Sequence, residues 1–406
     1  MTEPSAPVSG PDASSAPTAG TTAASGTGAG IPRRSALSRR GFMTASAMAA
    51  ASAAFLGAGA GRAAAATYNG TTYAVPGEWA PHAGCLMAFP WDASDNWGEK
   101  LPAVQNEVAE VARAIAQFEP VTMVANTGTA DFVRQQVGPT VTVIEYPIND
   151  CWPRDNGPVF GVERSGRKLL GLDFGFNGWG NKFPHDKDDN LPIGVCDYLG
   201  VPRLPVDMIF EGGALLQDGQ GTIIGTEECL LNPNRNPDLT KAQIEAKLLD
   251  AYQATKMIWL PYGMYGDTVT NGHVDLVAAY AGPARLLINL PSDTGDPNYT
   301  RLAANKSVLQ ASTDAQGRRF TLTEMNQLPT FTVGTDEVIT FSYTNYYPTA
   351  TGVVVPTTDI AASDTAALAT LQSLFPAKRI VGVSARTLAW GGGGVHCITQ
   401  QIPRTG

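Results

Sequence analysis

Four short segments place residues able to do chemistry beside glycine. The segments are PRDNGP, EGG, NGHVD and GGGGVHC, and their reactive side chains are Asp155, Glu211, His273, Asp275 and Cys397. A cysteine attacks as its thiolate, and a thiol of pKa about 8.5 is only slightly ionised at neutral pH, so Cys397 needs a base or a cation nearby. His273 is the candidate base. Asp275, two residues further along an extended segment, is predicted to face the same side.

Three carboxylates around one thiol favour a cationic substrate. Negative charges raise the pKa of a nearby thiol unless a positive group neutralises them. A guanidinium is planar and cationic, and it donates paired hydrogen bonds to carboxylates. Asp155 and Asp275 could each bind one edge of it and hold its central carbon over the sulfur of Cys397. The segments therefore indicate nucleophilic chemistry at a guanidinium carbon.

Each residue also has an ordinary structural explanation. Asp155 is well placed to cap a turn before Gly157, and the glycines after Glu211 are typical of a bend. His396 adjoins Cys397, but neighbours on an extended strand face opposite sides, so His396 is predicted to be structural. No G-K-[ST] follows the four glycines, which argues against a phosphate-binding loop.

Metal and cofactor sites are not indicated. DKDDN (186–190) lacks the turn glycine and terminal glutamate of an EF-hand, so we expect a solvated acidic loop rather than a calcium site. The odd number and scattered spacing of the cysteines argue against both a zinc site and a disulfide framework. We predict no metal, no cofactor and free thiols at Cys85, Cys151, Cys196, Cys229 and Cys397.

The reactive segments recur at a regular interval. Successive separations, counted from the first aspartate to the glutamate, the histidine and the cysteine, are 56, 62 and 124 residues, the last being twice 62. Repeated units of about 60 residues around an axis would bring these points together, although four points also fit a period by coincidence. The intervals without a reactive segment fall near residue 95, beside Trp97, and at 335–345, where Asn345 stands.

Residues 67–406 are predicted to form one α/β domain. Short β-rich runs such as VTMVAN (121–126) alternate with helical patterns such as LPAVQNEVAEVARAIAQF (101–118), and no linker rich in Pro, Gly or Ser interrupts them. Residues 1–66 differ. Their first half is rich in Ala, Ser, Thr, Gly and Pro, which predicts a disordered tail.

The end of this leader predicts export. SRRGFM (38–43) resembles a twin-arginine signal, an Ala-rich uncharged stretch follows it, and the alanines at 63–66 offer a cleavage site. A twin-arginine exporter handles proteins folded in the reducing cytoplasm, so free thiols are tolerable. We expect a soluble extracellular or cell-envelope protein; an uncleaved membrane anchor is the alternative, but no later segment reaches about 18 consecutive apolar residues.

The charge of the domain excludes some partners. The leader holds five of the 28 basic side chains and two of the 37 acidic ones, which leaves residues 67–406 with 35 acids, 23 bases and a net charge of −12. Such a surface repels nucleic acid and anionic membranes and attracts small cations. The oligomeric state is not predicted.

The motifs along this domain resemble those of one family. CWPRDNGP, EGGALLQDGQGT, TEECLLNPNRNP, NGHVDL and GGGGVHCITQQIP follow, in order, the motif series of the agmatine deiminase and bacterial (Porphyromonas-type) peptidylarginine deiminase family, as does EWAPHAGCLMAFPWDASDNW near the start. The resemblance runs from about Tyr73 to Pro403. It implies the five-bladed, pseudo-symmetric α/β propeller of the guanidino-modifying (pentein) superfamily, which would explain a period near sixty.

The resemblance also implies residue roles. Cys397 would be the nucleophile, His273 the general acid and base, and Glu211 the residue that orients His273. Asp155 and Asp275 would bind the guanidinium. The expected course is an S-alkylthiouronium adduct on the cysteine, formed with loss of ammonia and then hydrolysed to a ureido product.

The residues around the substrate's tail are less well defined. The N-terminal motif lacks the Arg that the family commonly has after W-P, and Asn271 stands where the family often has Asp. Aromatic and acidic walls suit a cationic amine, and glycine allows the backbone to approach closely. We expect the substrate-binding residues, besides the two aspartates, to include Trp91, Asp95, Trp97, Asn345 and Gly394.

The motif TEECLLNPNRNP favours agmatine, converted to N-carbamoylputrescine and ammonia, with a role in putrescine supply implied by the family. Export favours peptidylarginine or a scavenged amine, so deimination of peptidylarginine or free arginine to citrulline is the alternative. Transfer of the amidino group to another amine, and a non-catalytic secreted propeller, are further alternatives.

Overall fold

The computed structural model of the chain describes residues 67–68, 71–91 and 97–406. The predicted tail and export signal at 1–66, and Asp95, lie outside the described residues. The strands are β1 Thr67–Tyr68, β2 Thr71–Ala74, β3 His82–Ala88, β4 Val121–Ala125, β5 Val141–Glu145, β6 Val159–Glu163, β7 Leu169–Gly175, β8 Arg203–Ile209, β9 Leu215–Gln217, β10 Thr222–Thr226, β11 Lys256–Leu260, β12 Ala278–Gly282, β13 Arg285–Asn289, β14 Thr321–Met325, β15 Phe331–Val333, β16 Asp336–Val338, β17 Tyr347–Pro348, β18 Gly352–Thr357, β19 Arg379–Ser384 and β20 Thr399–Pro403. The helices are α1 Leu101–Ile115, α2 Ala130–Val137, α3 Pro153–Asn156, α4 Gly178–Asn181, α5 Leu191–Leu199, α6 Glu227–Leu230, α7 Lys241–Tyr252, α8 Pro297–Ala311, α9 Ala361–Leu374 and α10 Arg386–Trp390.

Five sheets of the described region share one strand pattern. In each, an antiparallel pair is extended by a parallel strand, and at least one helix lies in the crossover to that strand. The five units are β6-β7-β8, β9-β10-β11, β12-β13-β14, β17-β18-β19 and β20-β3-β4. Strand β5 extends the last of these, β1 and β2 extend the first at its β6 edge, and β15 and β16 form a separate hairpin.

The fifth unit joins the two ends of the domain. Strand β20, at the C-terminus, pairs antiparallel with β3, so that Gln401 lies opposite Cys85. A late strand thus completes the sheet that an early strand begins. Cys397, which lies just before β20, is therefore positioned by a sheet that contains both an early and a late strand.

The elements follow from local sequence and burial. Helix α1 buries Val104, Val108, Val111 and Ile115, the apolar stripe that its period predicts. Helix α7 begins at a capping box, in which the Thr240 side chain accepts from the Gln243 backbone. Strand β10 (TIIGT) is buried along its whole length, as expected for a central strand with a parallel neighbour.

A polar residue precedes the first strand of every unit. Asp155 stands before β6, Glu211 before β9, Asp275 before β12, Asn345 before β17 and Cys397 before β20. The spacing near sixty thus corresponds to five repeated sheets, and Asn345 occupies the interval left open at 335–345. No additional sheet unit begins near residue 95, because the neighbouring strands β3 and β4 already belong to the unit whose first strand is β20.

The segment DKDDN is exposed, as expected, at Asp186, Lys187, Asp189 and Asn190, but Asp188 is buried. Asp188 is only 1% exposed, and its carboxylate accepts a 2.7 Å hydrogen bond from the backbone of Asn149. Burial raises the pKa of Asp188 to about 7. The prediction was therefore wrong for Asp188 alone, whose carboxylate ties this segment to the loop at Asn149 and Asp150. Separately, none of the helices in the described ranges has the length and apolarity needed to span a bilayer.

Candidate active site

Cys397 is buried among polar groups. Its sulfur lies 3.4 Å from Oδ2 of Asp275, to which the thiol donates, and the Asn345 amide presents Nδ2 at 3.3 Å and Oδ1 at 3.5 Å. Burial, followed by the charges of Asp275 and Asp155, raises the pKa of Cys397 well above the ordinary thiol range. The resting side chain is therefore a thiol at neutral pH.

The two aspartates differ in their protonation chemistry. Asp155 accepts from the Gly213 backbone at 2.9 Å and from Nε1 of Trp179 at 3.0 Å, and burial raises its pKa. For Asp275, burial opposes ionisation, but the hydrogen bond and charge of His396 outweigh it and hold the pKa below its usual range. Asp275 is thus the more firmly ionised of the pair.

Three functional atoms converge over Gly213. A Cβ on this residue would lie 2.8 Å from Oδ1 of Asp155, 2.8 Å from Nδ1 of His273 and 2.9 Å from Oδ2 of Asp275. Real Cβ atoms do not approach heavy atoms so closely. Glycine at 213 therefore leaves the space in which the two carboxylates and the imidazole face one another.

His273 has no exposed surface and is surrounded by acids. Its Nδ1 lies 3.9 Å from Oδ1 of Asp155, and neither ring nitrogen has a hydrogen-bond partner among the described residues. Burial disfavours the charged ring, but Asp155, then Cys229 and Asp275, outweigh it and raise the pKa to about 10. His273 is therefore an imidazolium at neutral pH and can act first as an acid.

Glu211 lies beside His273 but is bonded to an arginine. Its Oε1 accepts a 2.9 Å hydrogen bond from Nε of Arg235 in an ion pair that is almost fully buried. One ligand atom from each of Glu211, Cys229 and His273 lies within 4.8 Å of the others. The structure thus brings Glu211 to the base without a direct hydrogen bond, and it adds Arg235, which belongs to the motif TEECLLNPNRNP.

His396 was expected to point away from the reaction centre, and this expectation was wrong. Its Nδ1 lies 2.9 Å from Oδ2 of Asp275, the same oxygen that accepts from the Cys397 thiol. Its Nε2 lies 3.0 Å from both carboxylate oxygens of Glu78, which also pairs with Arg154. Residues 391–398 form turns rather than a strand, so alternation does not apply to them. The sequence analysis did not predict this series of contacts from Glu78 through His396 to Asp275.

Burial opposes a charge on His396 and so does Arg154, but Glu78 and the bond to Asp275 outweigh both and raise the pKa of the ring. The pKa of Glu78 falls to about 2: burial would raise it, but the charges of His396 and Arg154 dominate. The chain Glu78–His396–Asp275 therefore alternates negative, positive and negative charge. That arrangement keeps Asp275 ionised beside the thiol.

The cavity over Cys397 has aromatic walls. It has a volume of about 10 Å³, room for roughly one water molecule. A larger polar cavity of about 560 Å³ lies near Gln217 and Tyr252, but none of the five predicted reactive residues lines it. We therefore assign the site by its reactive side chains and not by the volume of the cavity. The smaller cavity is lined by Trp152, Asp155, Trp179, Phe183, Val269, Thr270, Gly391, Gly392, Gly393 and Cys397.

Two of the walls come from indoles that the sequence analysis did not select. Trp179 stands at φ 55°, flanked by glycines, and its Nε1 is bonded to Asp155. Trp152 and Trp97 both donate to the buried carboxylate of Asp150 at 2.9 Å, and their rings stack 5.9 Å apart. Trp97 does not line the cavity itself but packs against Trp152, which does. The N-G-W-G sequence, which is unsuited to a regular helix, was the available signal for Trp179.

Trp91 is not part of this cavity. Its side chain is on the surface, 39% exposed, and its ring packs edge-on against Phe132 at 5.4 Å. Its position in the motif FPW did not predict that its side chain would reach the site, because Trp91 lies three residues beyond the end of β3. Trp91 therefore does not contact the site in this conformation.

The four glycines before Cys397 each leave space for a neighbour. A Cβ at Gly391 would lie 2.3 Å from Trp97, one at Gly393 2.4 Å from Trp152, and one at Gly394 2.6 Å from Oδ1 of Asn345. Larger residues would push the indoles and the amide away from the sulfur. The glycine run is thus explained by packing on three sides.

Lys182 joins two walls of the cavity. Its Nζ donates at 2.7 Å to the carbonyls of Thr268 and Val269 and to Oδ1 of Asn271. Asn271, the residue that departs from the family motif, has φ 63° and does not line the cavity. Its role in this structure is to brace the wall segment that precedes His273.

The chain is similar to known proteins over most of its length. Residues 74–403 match the family described as Porphyromonas-type peptidyl-arginine deiminase. An agmatine deiminase of Pseudomonas fluorescens is 40% identical over 355 residues, which cover 81% of this chain and 95% of the relative.

The chain is also similar to solved structures of agmatine deiminases. An agmatine deiminase of Enterococcus faecalis, captured catalysing its reaction, is 35% identical with a TM-score of 0.77, over 82% of this chain and 96% of that one. A C. jejuni agmatine deiminase with substrate bound is 25% identical with a TM-score of 0.76, over 84% and 99%. Because the family match spans most of the sequence, the chain belongs to the Porphyromonas-type peptidyl-arginine deiminase family.

Proposed function

We propose that this protein is an agmatine deiminase, which hydrolyses agmatine to N-carbamoylputrescine and ammonia. The observation that carries the proposal is the convergence of Asp155, His273 and Asp275 on the space over Gly213, with the thiol of Cys397 bonded to the same oxygen of Asp275. The relatives from P. fluorescens and E. faecalis, both named agmatine deiminase, support the same reaction.

The guanidinium binds between the two aspartates. Each carboxylate accepts hydrogen bonds from one edge of the planar cation, which holds its central carbon near the sulfur. The bound positive charge offsets the acids that raise the pKa of Cys397, so the thiol loses its proton when the substrate binds. The nucleophile is thereby formed only in the presence of substrate.

The chemistry then proceeds in two halves. The thiolate forms a C–S bond to the guanidinium carbon, and imidazolium His273 protonates the departing nitrogen, so the C–N bond breaks and ammonia leaves. The S-alkylthiouronium remains on Cys397. Neutral His273 then takes a proton from water, the hydroxide attacks the same carbon, and cleavage of the C–S bond returns the thiolate and a ureido product.

The cavity favours agmatine over arginine. Among the described residues that line it, none is Arg or Lys, and the cations behind the wall, Lys182 and Arg235, are bonded to the carbonyls of Val269 and Thr270 rather than free to bind an α-carboxylate. The faces of Trp152, Trp179 and Phe183 suit an alkyl chain and an ammonium group. Its volume is too small for the substrate as it stands, so the walls move apart to admit it.

Ammonia release tests the proposal. Residues 67–406 are purified and given agmatine, free arginine or a peptide ending in arginine, with Cys397→Ala as the control. We expect release from agmatine alone and none from the variant. Release from the arginyl peptide but not from agmatine would establish a peptidylarginine deiminase instead. Amidino transfer to an added amine without ammonia, or no reaction by folded protein, would likewise overturn the proposal.

We also propose that residues 67–406 are one domain in which the five sheet units surround an axis as a five-bladed propeller. The repeated strand pattern supports this, as does the position of a site residue before the first strand of each unit. Small-angle scattering of the isolated domain tests it, since a compact propeller and an extended array of five units give different maximum dimensions.

We propose further that the twin-arginine motif exports the folded enzyme, which then acts on external agmatine. The supporting observation is the sequence SRRGFM followed by an uncharged stretch. The experiment replaces Arg39 and Arg40 by lysine and fractionates the cells. Accumulation of the variant in the cytoplasm, with the parent chain outside it, is expected, and equal distribution of the two chains would refute export by this route.

A further inference from the structure

Cys229 is a second buried thiol beside the reaction centre, and the proposed mechanism does not use it. It lies in α6, whose first turn is capped by Thr226, and none of its surface is exposed. One ligand atom from each of Cys229, Glu211 and His273 lies within 4.8 Å of the others. In the part of the chain that the structure describes, this is the one group of three His, Cys, Asp or Glu side chains so arranged.

These three side chains can coordinate a cation once it displaces the proton of the His273 imidazolium and that of the Cys229 thiol. Both ring nitrogens of His273 are buried and lack a hydrogen-bond partner within the described residues. Glu211 bonds to Arg235 through Oε1, which leaves its second oxygen. Asp155 adds a further negative charge 3.9 Å from the imidazole. A nitrogen, a sulfur and an oxygen ligand thus meet in a negatively charged interior.

We propose that Glu211, Cys229 and His273 bind a thiophilic divalent cation of the Zn²⁺ class, which inhibits the enzyme. Zinc lies about 2.3 Å from sulfur and about 2.0–2.2 Å from nitrogen or oxygen ligands, so side-chain rotations must draw the three atoms somewhat closer. The cation is not a cofactor, because it occupies a nitrogen of the general acid and base. Inhibition rests on the proposed function, whereas binding does not.

Arg235 limits which cations fit. Its guanidinium stays bonded to Glu211 and to the carbonyl of Thr270 at 2.9 Å, so it shares the carboxylate and opposes a cation. Most of the affinity must then come from the thiolate and the imidazole. Zn²⁺ and Co²⁺ accept such ligands, whereas Mg²⁺ and Ca²⁺ prefer oxygen.

Spectroscopy with Co²⁺ tests the site without substrate. The experiment uses Cys397→Ala protein, in which the nucleophile cannot supply the sulfur, and records the near-ultraviolet charge-transfer band of a thiolate–Co²⁺ bond. We expect saturable growth of the band, displaced by Zn²⁺. It should be lost when Cys229→Ala is added and kept when Cys196→Ala is added instead, since Cys196 is a buried thiol in α5 outside this cluster. Circular dichroism confirms that all variants are folded.

Two results would overturn the inference: no thiolate band in the Cys397→Ala protein, or a band that survives the loss of Cys229. A parallel assay measures the Zn²⁺ concentration that halves agmatine hydrolysis, with each variant compared to its own metal-free rate. We expect at least a tenfold higher concentration for Cys229→Ala. If agmatine is not a substrate, this assay fails while the Co²⁺ result still stands, so the two proposals fail separately.

Discussion

At the residue scale, Cys397 and His273, the proposed nucleophile and base, both carry protons before the substrate arrives. Burial and two aspartates raise the pKa of Cys397, and the same acids raise that of His273 to about 10. An imidazole that deprotonates the thiol at rest would need a lowered thiol pKa, whereas the pKa of Cys397 is raised. The guanidinium therefore completes the electrostatics of the site, and a neutral analogue should fail to activate the sulfur.

The charge on His273 can be observed directly. In Cys397→Ala protein with labelled histidine, we expect the ring of His273 to keep its imidazolium chemical shift from pH 6 to 9. Since the chain has four histidines, His273→Gln identifies the signal by its absence. Titration of this ring near pH 6.5 would contradict the prediction.

The same shift has a consequence for stability. A histidine whose pKa is raised by folding stabilises the protein fully below the unfolded pKa of about 6.5, and the contribution is lost as the pH rises through about 10. The difference in unfolding free energy between the parent and His273→Gln should thus shrink from pH 6 to pH 10.

His396 is a positioning residue for Asp275. In His396→Gln, the pKa of Asp275 rises because its charged partner is gone, so the acid limb of the pH profile of kcat/KM moves to higher pH. Loss of a hydrogen bond between charged groups costs about 1.5–3 kcal/mol, or roughly a tenfold to hundredfold decrease in kcat/KM. Glu78→Gln should shift the limb in the same direction, but less. A decrease that is equal at every pH would indicate a merely structural role.

The sequence predicted the reactive side chains better than their partners. Each of the five predicted residues is a chemically capable side chain beside glycine, and the structure brings all five together: Asp155, Glu211, His273, Asp275 and Cys397. The partners depend on turn geometry and on contacts between distant segments. His396 shows the limit: strand alternation predicted the wrong side, because the residue lies in a turn.

At the scale of elements, the site depends on the turn that leads into each first strand. The turn before β9 is the most restricted, since Gly213 is its middle residue and faces two carboxylates and an imidazole. Strand β9 itself is short and buried, so it cannot shift to relieve a clash. The geometry of the reaction centre is therefore sensitive to a single methyl group at this position.

Gly213→Ala tests this sensitivity. The new Cβ would approach Asp155 and His273 to 2.8 Å, so we expect them to separate by a fraction of an ångström or more and kcat/KM for agmatine to fall about 100-fold. Gly295→Ala is the matched control, because it adds the same methyl group at an exposed turn whose φ is not in the left-handed region. Full activity of a folded Gly213→Ala protein would show that the three atoms do not share this space.

The repeat was predictable at this scale only in outline. Spacing near sixty indicated repeated units and an open interval that ends at Asn345. In the structure, the side-chain amide of Asn345 lies 3.3 Å from the sulfur of Cys397. Spacing could not show that β20 joins β3, since that pairing links the two ends of the domain. It also could not select Trp179 over Trp91, because an indole in a core, on a surface and in a cavity looks alike in sequence.

At the scale of the whole molecule, the chain keeps five buried cysteines without a disulfide. Burial raises the pKa of Cys85, Cys151, Cys196 and Cys229, each of which lies away from solvent. Neutral thiols of this kind act as small apolar groups in the core and react slowly. Such a fold is complete without oxidation, which is compatible with the proposed route of folding in a reducing compartment before export.

Thiol counting and thermal melting check this property on protein purified in air. We expect a thiol reagent to detect few cysteines in the native protein within minutes and five after denaturation in guanidinium chloride, because unfolding exposes them and returns their pKa to about 8.5. A reductant should leave Tm unchanged, since no cross-link constrains the unfolded chain. Fewer than five thiols in denatured protein, with a Tm that falls on reduction, would show that the purified protein acquires a disulfide and that these side chains are not held apart as the structure has them.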